Sequence, residues 1–386
     1  MRTRQEGVTR ITEAVVIIKE TPLNSLHRAL GAKMTEFGGW DMPEHYGNIW
    51  DEYNAVRTKV GLFDTSHMRA FLIEGRDANA YLQFLTPRHI GIKHGKVEYA
   101  VLTNKDGGAV DDCLVACLSP EEYLVIVNAG NIDKDFGWME RHNAGFDVAL
   151  WKRTRYTGML ALQGPRAEKV LTKCVANPTT LQKMKRYNFF ATSMEGYTVL
   201  IFRTGYTGED GFEIFCEPVF LPFFWEMLLV RGDPEGIAPC GLGARDLCRL
   251  EAWMPLYEHE LTEERGPVEA NLRFAIDLHK PFFFIGRAAI ESKYQERRRE
   301  TLIGLRTIER GAIIRRGCDI ATANGNIIGR VSSGAPYPNG TSLGMGFVTC
   351  DGELPLGTSI QILIHKKWRP AFVAERKWMG TSKEEM

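Results

Sequence analysis

The stretch Arg203-Thr-Gly-Tyr-Thr-Gly-Glu-Asp-Gly-Phe-Glu-Ile-Phe215 constrains this chain more than any other. The apolar run ahead of it, Val199-Leu-Ile-Phe202, reads as a buried strand. Glycines follow at 205, 208 and 211, where the backbone can take positive φ and a ligand can come close. Asp210-Gly211 is a hairpin-turn dipeptide between strand-like segments. On the returning strand Phe212 and Ile214 share one face and Glu213 takes the other. A carboxylate is thereby set beside a glycine-lined bend, with Tyr206 at its lip. Such a carboxylate suits a planar partner with two parallel donors, because paired hydrogen bonds to one carboxylate are strong and directional.

A chain of 386 residues can bury a large core and predicts two or three domains. With 44% apolar and 25% charged residues it has the make-up of a soluble globular protein. Its formal net charge of zero gives no support to nucleic-acid or membrane binding driven by bulk charge. The eight cysteines, at 113, 117, 174, 216, 240, 248, 318 and 350, form no Cys-x-x-Cys pair and no zinc-ligand spacing, so no metal centre is expected. They read as reduced, buried small hydrophobes of a cytoplasmic protein. Residues 1–20 read as an N-terminal extension. Its apolar part, Ala14 to Ile18, is too short for a membrane span or a signal-peptide core, and Glu6, Glu13 and Glu20 argue against an acid-poor presequence.

Along the chain, Thr21 to Ala32 and Ile49 to Thr58 read as amphipathic helices. Between them, Phe37-Gly-Gly-Trp-Asp-Met-Pro43 lets the chain bend and present Trp40 and Met42. Adjacent Ser66 and His67 do not normally face each other, and no third group orients them, so a nucleophilic role is not expected. Val97 to Thr103 and Ala109 to Val115 form a hairpin around Asn104-Lys-Asp-Gly-Gly108. The returning strand carries Asp111 and Asp112, two acids costly to bury unless paired or working. Their side chains point to opposite faces, so only one can enter a given pocket. Asn128, closing the strand Glu122 to Val127, can offer both a donor and an acceptor. Gly241 and Gly243 precede a helix from about Ala244. Arg245 lies in its first turn, where a cation opposes the helix dipole and calls for an assigned partner. The charged run Glu291 to Glu300 reads as a linker. Beyond it, strands at 301–305, 326–331, 343–348 and 358–364, separated by turn signals, predict a small antiparallel barrel.

Taken together these segments resemble the glycine cleavage system T-protein family of folate-dependent aminomethyltransferases, from Thr21 to about Met379. The likeness is carried by Phe37 to Pro43, by Asn128-Ala-Gly-Asn131-Ile-Asp-Lys-Asp135, by Ala161-Leu-Gln-Gly-Pro165, by Arg203 to Phe215, and by Ala238 to Leu261. The resemblance implies an α+β, multidomain fold with antiparallel sheets around a central folate pocket. Residues 21–290 would form the folate-binding aminomethyltransferase region, as two interleaved subdomains, and residues 297–386 a C-terminal antiparallel β-barrel. It implies Asp112 as the catalytic acid, with Asp111 as the fallback, and Tyr99, Asn128, Tyr206, Glu213 and Arg245 as folate-binding residues. Tetrahydrofolate would be the one-carbon acceptor. Lipoylated H-protein would be the partner that delivers an aminomethyl group, with release of ammonia.

Several positions depart from the family pattern. Thr86-Pro87-Arg88 stands where Thr-Asn-Asp is usual, Trp253 and Glu258 replace glycines, and Phe274 replaces a tryptophan. The tail Trp378-Met-Gly-Thr381 is unlike the usual ending. Thr86-Pro87-Arg88, Trp253 and Phe274 favour an alternative on the same fold, a tetrahydrofolate-dependent demethylase fed by a small-molecule methyl donor such as a methoxy-aromatic or a methylated amine. Trp253 would reshape the pocket if it lines it. A non-enzymatic folate-binding assembly factor is a minor alternative, because the chain lacks the Lys-Gly-Cys-Tyr-x-Gly-Gln-Glu-like motif of those relatives.

Overall fold

In a computed structural model, residues 18–152 and 154–375 are described. Residues 1–17 of the N-terminal extension and the Trp378 to Thr381 tail lie outside the described residues. The last residues of the extension, Lys19–Glu20, form a short strand parallel to Trp40–His45, which pairs in turn with Lys33–Phe37.

Two sheets organise the body of the protein. One has the order Phe189–Met194, Tyr197–Phe202, Gly211–Cys216, Gly158–Gln163, Val60–Asp64, Ile237–Pro239, antiparallel except for its last pair. The other is antiparallel throughout, in the order Val97–Thr103, Ala109–Ser119, Glu122–Val127, Arg69–Glu74, Ala149–Trp151. Period-two alternation explains how they stack. Phe212, Ile214, Leu160 and Leu162 pack against the helices Ala167–Leu171 and Leu221–Gly232 on the outside of the first sheet. Val115, Cys113 and Tyr123 of the second sheet pack against the helices Ala78–Leu85 and Ile132–Arg141. The alternate residues Phe215, Phe202, Ala116 and Ile126 meet between the sheets in a shared core. The fold is therefore α+β, with two antiparallel sheets face to face and helices on both outer surfaces. Glu213 and Asp112 sit on the inner faces, so their direction follows from the pleat.

The C-terminal part closes into a six-stranded barrel in the order Arg298–Thr307, Ser342–Asp351, Ile327–Pro336, Asp319–Thr322, Ser359–Ile364, Lys367–Ala374. Sequence reading finds four of these strands. It misses Asp319–Thr322, which is only four residues long, and Lys367–Ala374, which opens on Lys-Trp-Arg-Pro. The expected linker Glu291 to Glu300 is instead mostly ordered secondary structure: it completes the helix Arg287–Gln295 and starts the first barrel strand. Ile290 anchors that helix in an apolar cluster with Val268 and Phe284, leaving its charged face to solvent.

The barrel docks on the helix Leu242–Glu251 through Trp253, which packs with Leu250, Leu302, Met345 and Phe347. Trp253 has φ +60°, and Glu258 has φ +68°. This left-handed backbone gives the physical reason that the family pattern has glycine at both positions. The indole ring lies over Gly304, where a Cβ would stand 2.3 Å from its Cη2. Trp253→Gly is expected to relieve about 1–2 kcal/mol of backbone strain and to lose about 3–5 kcal/mol of packing. The net result should be a lower melting temperature in thermal denaturation. A variant that melts higher than the parent would mean that strain outweighs packing.

Candidate active site

The two inner sheet faces open into a cleft with about 790 Å³ of free space. Asp112, Tyr99, Asn128, Tyr206, Glu213 and Arg245 all line it, drawn from elements more than a hundred residues apart in sequence. Met68, Tyr187, Met254, Tyr257 and Phe274 complete much of its wall. Trp40 and Met42 do not line it. They are buried beside Ala129, an apolar support beneath the cleft's edge.

The glycine-lined bend is held from both ends. Arg203 grips Asp210 with Nε and Nη2, at 3.0 and 2.6 Å, closing the turn as a two-pronged ion pair. Gln163 fills the inside of the bend. Its Nε2 donates to the Thr204 carbonyl at 3.1 Å, and its Oε1 accepts from Thr207 Oγ1 at 2.8 Å. This corrects the sequence reading of the three glycines. Only Gly208 has positive φ, at +82°. Gly205 and Gly211 are glycine because a Cβ would fall 1.9 and 2.6 Å from the Gln163 amide, and at Gly211 also 2.6 Å from the Leu162 carbonyl, so the close approach is made by the strand behind the bend. Arg57 ties the bend to the helix behind it, donating to the Thr207 carbonyl at 2.7 Å, to Glu209 at 3.1 Å and to Glu251 at 2.8 Å.

Glu213 is buried in this frame. Thr204 Oγ1 donates to its Oε2, and among the described residues no side chain reaches its other oxygen. Burial raises its pKa, opposed by the Thr204 hydrogen bond and by the charge of Arg245. Arg245 projects from the first turn of the helix Leu242–Glu251, with its guanidinium 4.6 Å from the centroid of the Tyr206 ring. Among the described residues its Nη1, sealed from solvent, has no hydrogen-bond partner. Desolvation lowers its pKa, and Tyr206 and Glu213 counter that. Tyr206 is fixed by donating its hydroxyl to the Pro255 carbonyl.

Asp112 stands on the opposite wall. The alternation of Ala109–Ser119 turns it into the cleft and turns Asp111 away, toward the helix layer. Asn128 Nδ2 donates to Asp112 Oδ1 at 2.9 Å and to the Asp112 carbonyl at 3.1 Å. It also donates to Asp111 Oδ1 at 2.9 Å. The amide hydrogens of Asn128 are thus spent on the protein, and of the donor and acceptor expected for a ligand only the acceptor is left. Burial, and then the charge of Asp111, push the Asp112 carboxyl up to about 7, against the pull of Tyr99 and Asn128. The Tyr99 hydroxyl approaches Asp112 without reaching hydrogen-bond geometry, and its pKa is raised well above the usual phenol value by burial and by that carboxylate.

A second chamber with about 750 Å³ of free space adjoins the first, sharing Met68, Asn128, Arg245 and Tyr257 and adding His67, Gly130 and His259. Burial and nearby Arg245 push His67 down to about 4, so it is neutral at physiological pH. Ser66 faces away, bonded to the Met159 backbone, which agrees with the absence of a Ser–His nucleophile. Sequence reasoning missed Tyr187 and Tyr257 as wall residues, and for His67 it expected a structural or binding role. Tyr187 lies in a polar loop with no local signal, at φ +54°. Of the departures from the family pattern, Phe274 lines the cleft, with its ring 5.6 Å from that of Tyr99. Trp253 does not, because it faces the barrel. Arg88 donates to the Phe274 carbonyl and so supports that wall from behind. Among the described residues no cluster suits a metal ion, and no helix is long and apolar enough to cross a membrane.

Opposed carboxylates, a buried arginine and a tyrosine-rich wall, set between two sheets and braced by a barrel, equip the cleft to bind a polar ligand and to stabilise charge on it. The family model described as the GCVT N-terminal domain matches residues 23–280. An aminomethyltransferase of Desulfitobacterium hafniense is 40% identical over 352 residues, covering 91% of this chain and 95% of that protein. One from a Geobacillus species is 42% identical over 324 residues, covering 83% and 88%. The crystal structure of glycine cleavage system aminomethyltransferase T from Bartonella henselae superposes with a TM-score of 0.83 at 31% identity, covering 94% of this chain and 98% of that one. The chain belongs to the aminomethyltransferase family of the glycine cleavage T-protein, and it is a transferase.

Proposed function

We propose that this enzyme moves a one-carbon unit from the aminomethyl-lipoyl arm of H-protein to tetrahydrofolate, with release of ammonia, in the cytoplasm. The observation that carries this reading is the pair formed by Glu213 and Arg245: among the described residues, a carboxylate with one oxygen left open to the cleft and a buried guanidinium nitrogen with no hydrogen-bond partner. Buried polar groups left unpaired are costly, so such a pair fits a ligand that brings both donors and an acceptor. The adjacent ring N–H and amino groups of a reduced pterin match Glu213, and an acceptor or carboxylate on the folate matches Arg245. Tyr99, Tyr206 and Asn128 would flank it. Tetrahydrofolate, when bound, supplies the nitrogen that takes up the one-carbon unit.

Asp112 faces this site from the other wall. As a carboxylate it orients the reacting nitrogen and stabilises positive charge on the transferred carbon, an electrostatic contribution of the oxyanion-hole kind with the sign reversed. The eight cysteines, all free, fit a reducing compartment.

Arg245→Ala and Glu213→Gln are each expected to weaken tetrahydrofolate binding roughly 10- to 100-fold in titration calorimetry. Unchanged affinity in both would remove the pair from the reading. To assign the donor, the protein is incubated with tetrahydrofolate and either aminomethylated H-protein or a panel of methoxy-aromatics and methylamines. Ammonia with methylene-tetrahydrofolate from H-protein supports the proposal. Methyl-tetrahydrofolate from a small donor, with H-protein inert, replaces it.

A further inference from the structure

Behind the cleft wall lies a polar chain that the chemistry above does not use. Asp111 is fully buried, and its carboxylate is held by amides: Asn128 N at 3.3 Å, Asn128 Nδ2 at 2.9 Å and Asn131 Nδ2 at 2.9 Å. Among the described residues it has no ion pair. A buried carboxylate is a poor choice for stability, since an apolar residue of similar size needs no such compensation. We propose that Asp111 is a positioning residue, holding Asp112 in its working orientation through Asn128 from the far side of the sheet. The inference rests on the reading in which Asp112 carries the chemistry.

The geometry gives the mechanism. The Asn128 amide sits between two carboxylates, with Nδ2 2.9 Å from an oxygen of each. Turning the amide over would set its carbonyl oxygen against both anions, so Asp111 fixes which way Asn128 points. Asn128 in turn fixes both the backbone carbonyl and the side chain of Asp112. Asp135, fully buried on the helix Ile132–Arg141, faces Asp111 from beyond. Burial and the charge of Asp111 raise Asp135 far above the ordinary carboxylate range. The other groups that face Asp112 are Tyr99 and Tyr206, with Arg245 and Tyr257 further along the wall.

The test compares Asp111→Asn, Asp135→Asn and the parent enzyme by steady-state kinetics across pH and by carboxyl-carbon NMR of labelled aspartate. The Asp112 resonance is assigned by its loss in Asp112→Asn. In Asp111→Asn the kcat plateau is expected to fall roughly 10- to 100-fold with KM nearly unchanged. Asp112 should also titrate about one pH unit lower, because its negative neighbour is gone. Among the described residues neither Asp135 oxygen has a hydrogen-bond partner, so Asp135→Asn cuts no link to Asn128 and should match the parent in both. A kcat plateau in Asp111→Asn equal to the parent's overturns the proposal, whether or not the titration moves. If Asp111→Asn does not fold, Asn128→Ser cuts the same link and is judged by the same two criteria. The NMR titration needs no substrate. A parent enzyme that is inactive toward H-protein therefore refutes the functional reading while leaving the Asp111–Asp112 coupling measurable.

Discussion

Asp112→Asn is expected to lower kcat/KM about 10²- to 10³-fold, the size of effect seen when one preorganised electrostatic group is removed. The change is nearly isosteric and keeps a polar group facing Asn128, so folding should be preserved and the loss falls on chemistry. The pH dependence gives an independent check. Asp112 is held up to about 7 in the free cleft, so it is protonated below that value and ionised above it. The proposed chemistry needs the ionised form. The parent's kcat/KM should therefore rise with pH, through an inflection near 7, to a plateau. Bound cationic donor favours the carboxylate, so the inflection in kcat should lie at lower pH than that in kcat/KM. In the Asn variant this acid limb should vanish. Turnover at the parental rate, or an acid limb that survives the substitution, would exclude an ionic role for Asp112.

Glu260→Ala is expected to be the most destabilising single change away from the cleft, by about 3–5 kcal/mol. Glu260 is fully buried and accepts from Arg249 Nη1 at 3.1 Å, from Leu256 N at 3.0 Å and from Ser332 Oγ. Arg249 is itself buried; it also donates to Asp246 at 2.7 Å and to Ser333 Oγ at 3.0 Å. Removing the carboxylate leaves a guanidinium in the interior with only one exposed acid to balance it. Urea denaturation of Glu260→Ala and of an Arg249→Met/Glu260→Leu double variant would separate a lost pair from a stranded charge. The double variant should recover much of the loss, because replacing both members of a buried pair is far milder than stranding one. A single variant as stable as the parent would show that the charge finds other compensation.

What the sequence discloses here follows from the range of the forces involved. The alternation around Asp112 and Glu213, the Asp210-Gly211 turn and the placement of Arg245 after two glycines are local signals, and the structure brings all three segments to one cleft. Which of Asp111 and Asp112 enters the cleft was left open by alternation alone, because it depends on which face meets the other sheet. The glycines of the bend were legible as special but not for the right reason, since the Gln163 side chain that requires two of them lies about forty residues earlier. Arg57 and its acceptor Glu251 are 194 positions apart, and no periodicity links them. Whether Trp253 lines the pocket was left open by the sequence, and only the docked barrel reveals its partner, Gly304.

The segment from Trp253 to Glu260 faces two ways. Met254, Pro255, Leu256 and Tyr257 form part of the cleft wall, while Trp253 and Glu260 are gripped by barrel residues and His259 bonds to Ser333 at 2.9 Å. Among the described residues none from the barrel lines the cleft, yet the barrel determines where one of its walls stands. Warming that loosens this grip would let the wall drift while both sheets are still intact. Activity is therefore expected to be lost on heating before the protein melts, which activity assays and calorimetry on the same temperature ramp would check.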